Sequence, residues 1–213
     1  MTTLSWAALG GDPAPGDPGA FDALARSFSE TAGNAGEAHA RLARFGSSVD
    51  AGIWSGEAAD GFREKIGELP PRLKKLHDSY AAAASGMGEY ARTLRDLQAK
   101  ARALLGQAEA ARDEKISQER SRDQARAADP MISASAYDSA IADAGRRLGV
   151  AEREIEELRE QRVAAERRAL NRLEDAEALG IRNDPWYKRA FDAIDRFIDQ
   201  HADILRAISN VLK

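Results

Sequence analysis

Apolar residues keep a regular beat along this chain. From Phe21 they fall at Leu24, Phe28, Thr31, Ala35, Ala38, Leu42, Phe45 and Val49, in alternating steps of three and four. A second run does the same through Phe62, Ile66, Leu69, Leu73, Leu76, Tyr80, Ala83, Met87, Tyr90, Leu94, Leu97, Ala101 and Leu104. A third passes through Tyr137, Ile141, Ala144, Leu148, Ala151, Ile155 and Leu158. A repeat of seven is the period of helices wound round one another with a left-handed twist. Past residue 163 the third run slips, to Val163, Leu170, Leu173 and Leu179. That slip predicts a stutter, at which the buried face rotates.

Breakers divide the runs. Gly10 to Gly19 is a Pro/Gly leader ending in Asp17-Pro18, an acidic N-cap followed by proline at the first helical position. Gly46 to Gly56 is rich in turn residues, Pro70-Pro71 predicts a kink or short break, and Asp129-Pro130 opens a short connector. Gly180 reads as a helix C-cap and Asp184-Pro185 as a fresh start. The segment that follows carries Trp186, Tyr187, Phe191, Ile194, Phe197, Ile198, Leu205, Ile208, Val211 and Leu212 on one face. Four aspartates share its other face with Lys188, Arg189, Arg196 and Arg206, which favours packing on the chain's own helices over lying on a membrane.

These signals predict an all-α fold of elongated antiparallel helical hairpins, a coiled-coil bundle with one long central helix. The expected divisions are an irregular leader over 1–17, a hairpin over 18–110, a coiled-coil hairpin extension over 111–180 and a C-terminal amphipathic helix over 184–213. In the first hairpin the register sets Phe28 against Tyr80 and Phe21 near Met87, with Gly86 and Gly88 making room for the ring of Phe21. Phe21, Phe28, Leu42, Phe45, Phe62, Leu73, Tyr80 and Met87 form its expected packing set. The second hairpin sets Leu104 against Leu158, so the central helix holds the first helix along its first half and the third along its second, as a rod. Ion pairs such as Asp143 with Arg147 are expected along the solvated faces. The helical pattern still running at Lys213 predicts that an effector domain follows.

Composition narrows the function classes. Of 213 residues, 31% are charged and 6% aromatic, and the apolar share is rich in alanine, which suits close helix contact. Zero cysteines exclude disulfides, thiolate metal sites and a cysteine nucleophile. A net charge of -4 gives no basic field for nucleic acid. No apolar run approaches the roughly 20 residues that span a bilayer, and Met1 to Trp6 lacks the basic and apolar regions of a secretory signal. His39, His77 and His201 lie on separate helices without a ligand partner at metal spacing, and no phosphate loop or nucleophile elbow occurs. The expectation is no enzyme, no metal and no cofactor.

One stretch carries more: Ile53-Trp54-Ser55-Gly56-Glu57-Ala58-Ala59-Asp60-Gly61-Phe62, a Trp-x-Gly between two heptad-matched helices. It resembles the WXG family of helical hairpins exported by type VII secretion systems of actinobacteria and firmicutes. With the leader and the two prolines at 70 and 71, residues 10–110 resemble the N-terminal secretion domains of actinobacterial polymorphic toxins. The resemblance implies a non-catalytic delivery module of a type VII secreted effector, cytoplasmic before export and secreted without a cleaved signal peptide. It implies recognition through Trp54, Ser55 and Gly56, a helical partner (a small WXG-type protein or a second copy), a secretion ATPase, and membrane contact only through the machinery. The family's Tyr-x-x-x-Asp/Glu export signal is absent, since Tyr90, Tyr137 and Tyr187 are followed four residues on by Leu94, Ile141 and Phe191. The residues alone leave open a cytoplasmic coiled-coil scaffold or partner-binding protein, and a membrane-active role for the last helix.

Overall fold

The computed structural model describes residues 5–48 and 69–179. Among these it is all-α: a 3-10 turn, Trp6–Leu9, precedes α1 (Pro18–Ser48), α2 (Leu69–Ala128) and α3 (Ser135–Leu179). Trp54, Ser55, Gly56, Phe62 and everything from Gly180 onward lie outside the described residues.

Helix α1 begins where the sequence places it. Asp17 Oδ1 accepts the Gly19 amide at 2.8 Å, and Pro18 fills a position with no hydrogen bond to lose. Helix α2 is the long central element, 60 residues from Leu69. Pro70 and Pro71 sit in its first described turn, where proline is tolerated. At its far end Asp129 Oδ1 accepts the Met131 amide at 3.0 Å, and the Asp129 carbonyl accepts that of Ile132 at 3.1 Å, which closes the turn into α3.

The chain divides into two compact units: residues up to Gly16 with Thr93–Ala164, and Asp17–Arg92 with the chain from Ala165 onward. Helices α2 and α3 contribute to both.

In the second of these, α1 runs antiparallel to α2. The Phe28 and Tyr80 rings meet edge to face with centroids 5.7 Å apart, in the register the heptads predict. Phe21 packs edge to face on Tyr90, with ring centroids 4.7 Å apart, one turn along α2 from Met87. Gly86 turns instead toward α3, where a Cβ would stand 3.1 Å from Arg172 Cβ. The absent side chain thus admits a third helix and not a ring. Helix α3 accordingly covers part of α2's first half as well, with Ala165, Ala169 and Ala176 buried.

This third helix also removes the predicted stutter. Its inward positions keep to sevens through Ala144, Ala151, Leu158 and Ala165, and through Leu148, Ile155, Arg162, Ala169 and Ala176, all buried or half-buried. Leu170 and Leu179 are 48% and 49% exposed. Past Leu158 the buried apolar positions are Ala165, Ala169 and Ala176, with Arg162 half-buried among them.

In the other unit, α2 and α3 pair antiparallel around Ala108 and Ala151, with Leu9, Leu105 and Leu148 packed against them. Leu104 and Leu158 are both buried, close to the expected register. Arg147 reaches across to Glu114 at 2.5 Å, while Asp143 pairs with Arg146; the expected Asp143–Arg147 pair gives way to a bond between helices. The leader is irregular but docked. Gln98 Nε2 donates to the carbonyls of Ala14 and Gly16 at 3.0 and 2.9 Å, and Arg159 Nη2 to those of Leu9 and Gly11 at 2.5 and 3.0 Å. Pro13 and Ala14 are fully buried. Gly10, at φ 80°, ends the 3-10 turn in a left-handed conformation, and a Cβ there would lie 3.2 Å from the Arg159 guanidinium.

Two glycine substitutions separate close approach from mere helix propensity. Gly86→Leu should destabilise the chain by about 1–3 kcal/mol through overpacking against α3. Gly106→Ala, where a Cβ meets nothing within 4 Å, should stabilise it by about 0.5–1 kcal/mol. Urea unfolding followed by helical circular dichroism measures both.

Candidate functional site

The predicted hairpin set divides sharply. Phe28, Tyr80 and Met87 are buried, and Phe21, Leu42 and Leu73 are half-buried. Phe45 lies on the last turns of α1, with its side chain outside the described residues, as are Phe62 and the Trp54-Ser55-Gly56 turn. The structure therefore brings α1 and α2 together around the Phe28–Tyr80 and Phe21–Tyr90 ring pairs.

A polar layer missed by the sequence reading pins this frame. The Tyr90 hydroxyl donates to Glu166 Oε1 at 3.0 Å, with both residues 7% exposed. Ser79 Oγ, also buried, donates to the Ala176 carbonyl at 2.6 Å. Arg172 Nη1 donates to Glu89 Oε1 at 2.5 Å, and Ser85 Oγ donates to the same oxygen at 3.2 Å. The bonds from Tyr90, Ser79 and Arg172 join α2 to α3 in one antiparallel register, and the Ser85–Glu89 bond lies within α2. On the α1 side, His77 Nδ1–H donates to the Ala32 carbonyl at 2.9 Å. Gly36 leaves room for the imidazole, since a Cβ there would come within 3.1 Å of His77 Nδ1. Only the placement of Tyr90 on the heptad stripe hinted at any of this, because Ser, Glu and His look like surface residues in a linear reading.

Electrostatics follow the same pairs. The Arg172 guanidinium hydrogen-bonded to Glu89 lowers that carboxyl's pKa, with Ser85 and Arg92 acting in the same direction. Lys74, bonded to Asp78 at 2.6 Å, lowers the Asp78 carboxyl likewise. Burial raises the pKa of the Tyr80 hydroxyl. Among the described residues, no group of three His, Asp or Glu is placed to hold a metal ion. His77 is a helix-to-helix link, with its Nδ1 committed to backbone.

Such an arrangement fixes the relative setting of helices, and what it offers other molecules is a surface of defined shape. Among the described residues the fold is thus that of an all-α domain of closely packed helices. A family model described as "Putative T7SS secretion signal domain" matches residues 15–180, and the chain belongs to that family of type VII secretion signal domains. No curated protein and no solved structure matches it. Membership makes this a targeting domain, whose route of secretion is the type VII system. Among the described residues no helix is long and apolar enough to cross a membrane.

Two variants test the pinning. Tyr90→Phe removes a donor from a buried carboxylate and should cost about 1–2 kcal/mol in urea unfolding at neutral pH. The Glu89 carboxyl, its pKa lowered on folding, contributes stability above its unfolded pKa and loses that contribution as pH falls through the folded value. Arg172→Met should therefore flatten the acid side of the stability–pH curve, measured as the urea midpoint between neutral pH and about pH 3.

Proposed function

We propose that this chain is the non-catalytic delivery module of a type VII secreted effector of the polymorphic-toxin kind, of actinobacterial type. The machinery reads it through the Trp54-Ser55-Gly56 turn. The observation that carries the reading is the family match across residues 15–180, which takes in both hairpin helices and the stretch between them. Its support in physical terms is the pinned α1–α2 pair, since a recognition turn needs a fixed base if binding is not to spend its free energy on ordering loose helices. Recognition by a WXG-type helical protein, or by a second copy, would use apolar side chains at helical spacing. The secretion ATPase would then engage the assembled module. No Tyr-x-x-x-Asp/Glu begins at Tyr80, Tyr90, Tyr137 or Tyr187, so that part of the signal comes from a partner or takes a different pattern.

Export is measured in culture supernatant against the cell pellet. Trp54→Ala and Gly56→Ala should each abolish export while leaving the helical circular dichroism of the purified chain unchanged. Supernatant levels equal to those of the parent chain would overturn the role of the turn.

A further inference from the structure

From Leu9 to Gly16 the leader lies almost straight along α2 and α3. Leu9 packs on the Ala108–Ala151 core, and at the other end a Cβ on Gly16 would stand 3.3 Å from Leu94 Cδ2. Along α2, Ala108 and Leu94 are about 21 Å apart at 1.5 Å per residue. The chain from Leu9 to Gly16 reaches at most about 25 Å, which leaves it little slack.

Between these ends the leader is held by its main chain. Arg159 takes the carbonyls of Leu9 and Gly11, and Gln98 takes those of Ala14 and Gly16. Each side chain thus bridges carbonyls two residues apart, the spacing at which an extended chain repeats its direction. A salt bridge from Arg159 Nη1 to Glu156 aims the guanidinium. Recognition through the main chain accepts any sequence able to follow the backbone path. The path itself selects. Gly10, Gly11 and Gly16, at φ 80°, 99° and 122°, are the positive-φ residues among the described ones. Pro13 and Ala14 are fully buried, so only compact side chains fit between them and the helices.

We infer that this seam is an exchangeable peptide seat. The leader lifts off α2 and α3 as a unit, and Gln98 and Arg159 then hold a glycine- and proline-containing segment of another chain in its place. Two features support exchange. The leader's own turns are closed locally, by the Ala8 amide on the Ser5 carbonyl and the Gly11 amide on that of Trp6, so its departure costs α2 and α3 none of their helical bonds. Departure also uncovers part of the Ala108–Ala151 core, which favours covering it again with the leader or with an equivalent segment. The inference stands apart from the Trp54 turn: either can fail while the other holds.

The probe is a fluorescent peptide of residues 5–16, titrated with the full chain and read by anisotropy. The parent chain should bind it weakly, because its own leader competes from within the same molecule. A full chain carrying Gly10→Val and Gly16→Val keeps the seat but has a leader unable to follow the path. It should bind the probe at least about tenfold more tightly, as expected if the parent's seat is free a tenth of the time or less. Adding Gln98→Leu and Arg159→Met should remove that gain, and a probe with the two glycine substitutions should not bind. Equal affinity of the parent and the leader variant, or no binding by either, would overturn the inference. So would loss of helical circular dichroism in the leader variant, which would make the leader part of the core. Hydrogen exchange on the parent chain gives an independent reading: the Gly11 and Ala14 amides should exchange about a hundredfold faster than α2 amides between Leu94 and Ala108. One common rate would mean that the leader leaves only when the helices unfold, and would also overturn the inference.

Discussion

Close approach of helix backbones is the constraint on which the rest of this structure depends. The inward positions of α2 and α3 are filled largely by alanine, with Gly86 set against Arg172, and only small residues let a serine hydroxyl on one helix reach a carbonyl on the next. At that distance, the hydrogen bonds from Ser79 and Tyr90 become available and fix one register. A core of leucine would bury more apolar area but hold the helices apart and leave their sliding less restricted.

The ring pairs and the polar pins divide the work within the hairpin unit. Phe28 on Tyr80 and Phe21 on Tyr90 exclude water and hold α1 to α2. The Tyr90–Glu166 bond then uses the same tyrosine to hold α2 to α3. A single residue, Tyr90, thus touches both neighbours of the central helix through different chemistry, ring edge to one side and hydroxyl to the other. The docked leader has a comparable logic in its own unit. With few side chains to bury, it is held through its backbone carbonyls by Gln98 and Arg159.

Targeting depends on a surface that is the same each time it is met, and side-chain bonds between helices supply this at small cost in surface chemistry. The solvated faces remain charged and mixed in sign, which suits a chain that must pass from one aqueous compartment to another.

The sequence by itself determined the helical class, the start at Asp17-Pro18, the stop at Ala128, and the facing of Phe28 and Tyr80. These follow from local capping chemistry and from a repeat of seven, both of which are properties of short stretches of chain. Tertiary structure alone decided that α3 also covers the first half of α2, that Gly86 receives that helix and that the leader docks. It also decided that Ala165, Ala169 and Ala176 are buried past Leu158. Alanine and glycine carry almost no hydropathy signal, and a carbonyl bonded by a distant glutamine or arginine carries none. Such contacts exist only once segments far apart in the chain have been brought within a few ångströms.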